Sequence, residues 1–348
     1  MCKRAVSEAV TRHSRGRAAA GPAAYPSPMT PPTTPLPRPP VRFGAQLWSQ
    51  ATSWVGFRDA ALAAEAGGWD SVWTWDHLLA IFGPWRQPIF EGWTALAAVG
   101  ALTSRVRVGL MVGANTFRNP GLTAKLATTL DHVTDGRAVL GIGGAWFERE
   151  HEAHGIDFGS GFGERLDRLD ESVGLIRRLL DGEEIGEHRG AHYEMHEAVH
   201  APRPIQARLP ILIGGSGPKK TLRTTARYGD GWNTAGEVEE TRERLAILAE
   251  HCAAVGRDLA TIELTASFPI VVRDSLAAAE RRFAELCAHN GIEGIDGPPT
   301  VVGEPERIAD RLRPYLAMGF GTFIVRMPAP YDAETLARIG EVAALLEP

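Results

Sequence analysis

The sequence predicts a parallel α/β barrel of eight strand–helix units, a (β/α)8 barrel, with an open doubly wound sheet as the competing architecture. Two observations carry this. From residue 41 onward, eight short apolar segments alternate with amphipathic helical ones. That order calls for parallel pairing with right-handed crossovers, and a count of eight suits closure. In addition, three consecutive strand ends carry residues with chemistry: Asp76-His77, then Asn115-Thr-Phe-Arg-Asn-Pro120, then Gly141-Ile-Gly-Gly-Ala-Trp146. In a parallel barrel the strands' C-terminal ends form the face where sites are built. No period of about 20–50 residues repeats, which excludes a solenoid.

The elements follow in order. A first strand over 41–47 leads to a helix over 53–66, capped by Ser53 and ended by Gly67-Gly68. The second strand, 71–74, precedes a helix over 91–102. Strands over 106–112 and 137–142 flank a helix over 121–132. A long helix over 164–180 carries Leu166, Leu169, Val173 and Ile176 on one face. The fifth strand, 210–213, is followed by a helix over 219–227, and the sixth, 231–234, by one over 239–255. The seventh lies within 261–272, with helices over 276–289 and 304–318 behind it. The eighth, 322–326, leads to a last helix from Ala333. Three connections are longer, at 143–163, 182–209 and 290–302, and loops of that length in a compact domain are functional or lid-like. Within the second, His188, His192, His196 and His200 recur every four residues. Gly186 and Gly190 make a helix improbable there, so the stretch reads as a hairpin with Tyr193 in its second strand. His151-Glu-Ala-His154 is one residue short of the zinc-protease spacing, and no metal is expected.

Composition narrows the function classes. The 348 residues are 44% hydrophobic with a net charge of -5. There is no basic field to attract nucleic acid and no run of about 18 apolar residues to span a membrane. Cys2, Cys252 and Cys287 are too few for a disulfide framework, so a reducing cytoplasm is expected. Residues 1–40 are rich in Pro, Ala and Arg and read as a disordered tail without a catalytic role; residues 41–348 form the single barrel domain.

His77 suits proton transfer, because imidazole titrates near neutrality. Asp76 can bond a ligand or tune that imidazole. Gly143 and Gly144 remove side chains where a flat ring would approach the backbone. Gly214-Gly215-Ser216-Gly217 closes the fifth strand and opens a helix bearing Lys219 and Lys220, an arrangement that favours an anion.

Taken together, the run 71–77, the segment 116–131, the glycine-rich 136–146, Pro210-Ile-Leu-Ile-Gly-Gly-Ser-Gly217 and Ala226-Arg-Tyr-Gly-Asp-Gly-Trp-Asn233 resemble the bacterial luciferase-like superfamily over essentially residues 41–346. Within it the chain is most similar to the branch that uses the deazaflavin coenzyme F420, with the flavin mononucleotide (FMN) monooxygenases as the nearest alternative. A cofactor-binding barrel without catalysis is a third reading. The resemblance implies a homodimer that moves a hydride between F420 and carbon of a small organic substrate. It implies that Asp76 contacts the cofactor and that His77 lies at the reaction centre. Met111, Val112, Gly113 and Ala114 match a strand-three bulge with a non-proline cis bond behind the ring, and Gly214, Gly215, Ser216 and Gly217 match the region that takes the cofactor phosphate. Trp85, in Pro84-Trp-Arg86, matches a tryptophan that lines the substrate pocket of the related sugar-phosphate dehydrogenases. Those enzymes carry an acidic residue where this chain has Gly144, a departure that puts a sugar-phosphate substrate in doubt. Asp76 and His77 are expected to serve function more than core packing.

Overall fold

A computed structural model describes residues 38–295 and 299–347. The predicted tail therefore lies outside the described residues, except for 38–40. Eight parallel strands form a closed ring: β1 (Arg42–Leu47), β2 (Ser71–Thr74), β3 (Arg107–Leu110), β4 (Ala138–Gly143), β5 (Ile211–Gly214), β6 (Gly231–Thr234), β7 (Glu263–Val272) and β8 (Thr322–Met327). Each pairs with the next, and β8 closes on β1 with Arg42 opposite Thr322. The open doubly wound sheet is thereby excluded.

Ten helices alternate with these strands among the described residues: α1 (Trp54–Ala66), α2 (Gly92–Leu102), α3 (Pro120–Val133), α4 (Glu148–His154), α5 (Phe162–Leu180), α6 (Thr221–Tyr228), α7 (Val238–Ala254), α8 (Leu276–His289), α9 (Pro305–Ala317) and α10 (Ala333–Leu346). Their starts follow local chemistry. The Ser53 hydroxyl accepts from the Gly56 amide at 3.1 Å and opens α1. Asn119 does the same for α3 through Gly121 at 2.8 Å, ahead of a proline at the first helical position. The predicted apolar face of α5 is buried: Leu169, Val173 and Ile176 are fully covered and Leu166 almost so.

Five expectations are corrected. The third strand stops at Leu110 instead of running to Val112, and Gly113–Ala114 resumes pairing with β4 after a cis Met111–Val112 bond. The connection 143–163 contains α4. The hairpin pairs Ile185–Arg189 with Glu194–Ala198, leaving Tyr193 in the turn. There the Glu171 carboxylate accepts from the His192 and Tyr193 amides at 3.0 Å each, so a carboxylate on α5 sets the turn. The helix predicted from Lys219 begins at Thr221, and a short strand, Val301–Gly303, extends the sheet beside β7.

Side chains pointing into the barrel fill it in layers. At the N-terminal end Glu263 accepts from Thr322 at 2.7 Å and pairs with Arg107 at 3.1 Å. Above lies an apolar plug of Trp73, Met111, Val139, Leu212 and Ile324. The Trp73 indole fits against a glycine on each flanking strand: a Cβ on Gly44 or Gly109 would sit 2.7 Å from it. The outward residues Phe43, Val72, Phe323 and Val325 pack under the helices. This leaves the C-terminal mouth for a site. Among the described residues no helix is long and apolar enough to cross a membrane.

The last helix is anchored by a titratable group. Asp332 caps α10 through the Thr335 amide (3.0 Å) and takes Arg273 at 2.6 and 2.8 Å and Arg282 at 2.9 Å. Burial raises its carboxyl, but these donors outweigh burial and hold it at about 2. A depressed folded-state value contributes stability that is complete above the unfolded value, about 3.9, and is lost as pH falls through the folded one. The contribution is about 2–3 kcal/mol. The gap in urea midpoint between the wild type and Asp332→Asn should therefore shrink from about pH 6 to about pH 3. A gap that does not change with pH would place the stabilisation elsewhere.

Candidate active site

Above the plug the strand ends enclose a cavity of about 670 Å³, within the range of small-molecule and cofactor sites. The end of β2 delivers His77 to its wall. The His77 Nδ1 lies 2.8 Å from Glu150 Oε1, while the other Glu150 oxygen accepts from the Leu78 amide at 2.8 Å. Glu150 is buried on α4. Because a carboxylate only accepts, Nδ1 carries the proton, and Nε2 of the neutral ring is the acceptor. Nε2 makes no hydrogen bond to the described chain. Trp75 and Trp146 meet the imidazole edge-to-face, with centroids 5.9 and 5.7 Å away. Ala145 adopts a left-handed backbone, φ 60°, where β4 turns and sends Trp146 to the rim at 59% exposure.

Asp76 is placed differently from its neighbour. It is 1% exposed, and its carboxylate accepts from both terminal nitrogens of Arg118 (2.5 and 3.0 Å) and from the Ala114 amide (3.0 Å). Arg118 also reaches Glu91 at 3.0 Å. Burial pushes the Asp76 carboxyl up, against the downward pull of Arg118 and the Ala114 N–H. Both oxygens are thus committed to the chain. Asp76 ties the segment after the cis bond to β2, and it also lines the cavity.

Met111, Val112, Gly113 and Ala114 line the cavity, as do Gly143 and Gly144. The two glycines also leave room for neighbouring side chains. A Cβ on Gly143 would lie 2.8 Å from Val112, and one on Gly144 would lie 2.8 Å from Leu166. Val112 sits equally close to Gly214. These glycines admit protein side chains, and it is the wedged Val112 that presents a surface to the cavity.

Across the barrel, Gly214, Gly215, Ser216 and Gly217 all line the cavity. Gly215 has φ +119°, a conformation open only to glycine at low cost. Among the described residues the Ser216 and Gly217 amides make no backbone hydrogen bond, and the Ser216 hydroxyl is 3.0 Å from Thr234 Oγ1. Lys220 does not add to this turn: its ammonium is held by Gly163 O at 2.9 Å and Asp167 at 2.6 Å. An apolar floor for a flat ring and free amides for its anionic tail make the residues present a fit for a deazaflavin or flavin nucleotide.

Trp85 lies outside the cavity. The Arg86 and Arg149 guanidinium groups both lie over its indole, 4.3 and 4.2 Å from the ring centroid, which ties the loop after β2 to α4. The aromatic wall comes instead from Trp48, Trp75 and Phe82, with Trp48 stacked on Phe82 at 4.5 Å. The histidines of the metal-like patterns have other partners: His151 faces Thr116 at 2.7 Å, His188 faces Glu171 at 3.1 Å, and His200 faces Thr128 at 2.7 Å. Among the described residues no group of three or more His, Cys, Asp or Glu is arranged to hold a metal ion.

Sequence reasoning missed Glu150, Arg118 and Arg326. Glu150 sits beside the His151 to His154 motif and Arg118 within the quoted 116–131 segment, so both were in view, but neither carries a local signature of its partner.

Fold and cavity together define a (β/α)8 barrel with its site at the strand ends. The chain belongs to the luciferase-like monooxygenase family, whose model matches residues 40–296. It is 31% identical to the F420-dependent glucose-6-phosphate dehydrogenase of Nakamurella multipartita, over 87% of this chain and 95% of that one. Among solved structures, the coenzyme F420-dependent tetrahydromethanopterin reductase of Methanopyrus kandleri superposes with a TM-score of 0.74 at 19% identity, covering 89% of this chain and all of the other. A riboflavin lyase with modified FMN gives the same score at 17% identity, over 88% of this chain and 91% of its own.

Proposed function

We propose that this protein is a coenzyme F420-dependent oxidoreductase that transfers a hydride between the deazaflavin and carbon of a small organic substrate. The observation that carries the reading is the His77 imidazole. It is held through Nδ1 by a buried carboxylate, with Nε2 unpartnered at the wall of a cavity that ends on free backbone amides. When bound, the deazaflavin supplies the hydride chemistry. The chain's own residues do the rest. His77 takes or gives the proton at Nε2, and Glu150 keeps the ring in the tautomer that can do so. Met111, Val112, Gly113 and Ala114 back the ring. Asp76 acts through Arg118 and Ala114 by fixing that segment. Gly214, Gly215, Ser216 and Gly217 take the phosphate, and Gly143 and Gly144 let Val112 and Leu166 close the wall. Gly144 in place of an acidic residue argues for a substrate other than a sugar phosphate. The assembly is a homodimer, measurable by light scattering. The setting is a reducing cytoplasm, consistent with Cys252 and Cys287 as buried free thiols.

The deciding experiment is a fluorescence titration of the purified chain with F420 and, separately, with FMN, the cofactor of the family's monooxygenase branch. F420 should bind at micromolar or lower dissociation constant, and more tightly than FMN. Equal or reversed affinities would overturn the assignment.

A second measurement addresses the glycine turn. Gly215→Asp should weaken cofactor binding by at least about tenfold, or about 1.4 kcal/mol, through like-charge repulsion with the phosphate. Because Gly215 occupies a glycine-only conformation, Gly215→Asn is the control. The variants share backbone strain and differ in charge, so equal dissociation constants would move the phosphate site elsewhere.

A further inference from the structure

One cation in the cavity is unclaimed. Along β8 the residues alternate, with Phe323 and Val325 under the helices and Ile324 in the interior plug. Arg326 therefore points inward one layer above Ile324, level with Gln46 of β1 and Pro269 of β7, where it lines the cavity. Its Nε is buried without a partner, and among the described residues no carboxylate pairs with the guanidinium.

Three other arginines with little exposure around the barrel have a carboxylate, whereas the buried Arg165 lies over the Phe158 ring, 3.7 Å from its centroid. Arg118 has Asp76 and Glu91, Arg177 has Asp230, and Arg273 has Asp332. Burying a charge without a counter-ion is costly, so buried charges are normally paired. The two carboxylates near the cavity cannot help, since Asp76 is taken by Arg118 and Glu150 by His77 and the Leu78 amide. Burial pushes the guanidinium down only to about 10, so it is charged at neutral pH.

Position around the ring separates this cation from the phosphate turn. The glycine turn ends β5, on the opposite side of the barrel from β1, whereas Arg326 on β8 and His77 after β2 flank β1 on either side. A ligand reaching Arg326 would lie along the wall formed by Trp48, Trp75 and Phe82, with its far end near His77.

We propose that Arg326 binds the substrate's carboxylate, making the substrate an organic acid with an apolar body. The planar fork of a guanidinium matches a carboxylate. Among the described residues no lysine and no second arginine lines the cavity, so the site offers one positive charge for one negative one and is poorly matched to a doubly charged phosphate. The inference names the substrate class of the F420 reading and rests on it for the reaction, not for the binding.

The test compares benzoate with benzamide, alike in size and different in charge, titrated into the full chain with and without F420 and read by ligand-observed NMR. Benzoate should bind at least about tenfold more tightly than benzamide to the wild type. In Arg326→Gln that ratio should fall to within about twofold, while F420 affinity by fluorescence stays within about twofold of wild type. Arg326→Lys, which keeps the charge and loses the fork, should retain only part of the preference and serves if the Gln variant does not fold.

Equal binding of the two probes by the wild type, or a preference untouched in Arg326→Gln, would overturn the proposal. So would a tenfold loss of F420 affinity in that variant, which would give Arg326 to the cofactor. Phenyl phosphate binding about tenfold more tightly than benzoate would replace the carboxylate by a phosphate. If F420 itself does not bind, the cofactor reading fails, and the comparison on the cofactor-free chain still decides the role of Arg326.

Discussion

His77→Ala should lower kcat by about a hundredfold or more, the usual loss when a positioned proton-transfer group is removed. Cofactor affinity should hardly change, because the backing segment and the glycine turn proposed to hold the cofactor belong to other strands. The fold should survive too, since the imidazole lies at the cavity wall. Glu150→Gln is the sharper companion. An amide can still accept at its oxygen, but it no longer carries the charge that steadies a protonated ring, so kcat should fall by roughly tenfold or more while the substrate KM moves little. Single-turnover kinetics and cofactor titration on the same preparations make the distinction. A His77→Ala protein with near-normal hydride transfer would leave His77 as a rim residue and return the proton to water or another group.

Asp76→Ala should instead damage the fold. It strips the 1%-exposed carboxylate from Arg118 and releases the Ala114 amide. Breaking a buried ion pair from one side costs about 3–5 kcal/mol, because the partner charge is left without its counter-ion. Glu91 remains beside Arg118, which favours the lower part of that range. Cofactor affinity should fall as well, since the segment 112–114 loses its tie to β2. Urea denaturation and F420 titration of Asp76→Ala and of Asp76→Asn would check both effects. Wild-type stability with weakened cofactor binding would mean that Asp76 meets the ligand directly, as the family resemblance implies.

The contrast between these neighbours marks how much of the site was legible. Asp76 and His77 read as one acid–base pair at a strand end, and their position in the barrel follows from the strand pattern. Their division of labour does not. It depends on Arg118, 42 residues onward, and Glu150, 73 residues beyond His77. Trp85 shows the same limit: the Pro-Trp-Arg run is visible, but the longer loop before it lets Arg86 and Arg149 trap the indole away from the cavity. The glycines near β4 line the cavity, yet the side chains that need their space, Val112 and Leu166, come from elsewhere in the chain.

The sequence by itself determined the eight-unit architecture, most helix starts, the apolar face of α5 and the family. These rest on periodicity, capping residues and motifs that are written over a few adjacent positions. Tertiary structure alone decided which polar groups have partners: that Asp76 meets Arg118 and the Ala114 amide, that Lys220 turns to α5, and that, among the described residues, His77 keeps Nε2 free and Arg326 has no carboxylate. Pairing is a matter of distances between strand ends brought together by barrel closure. An arginine in an apolar strand looks the same in sequence whether a carboxylate faces it or not, and only the closed ring reveals which charge has been left for a ligand.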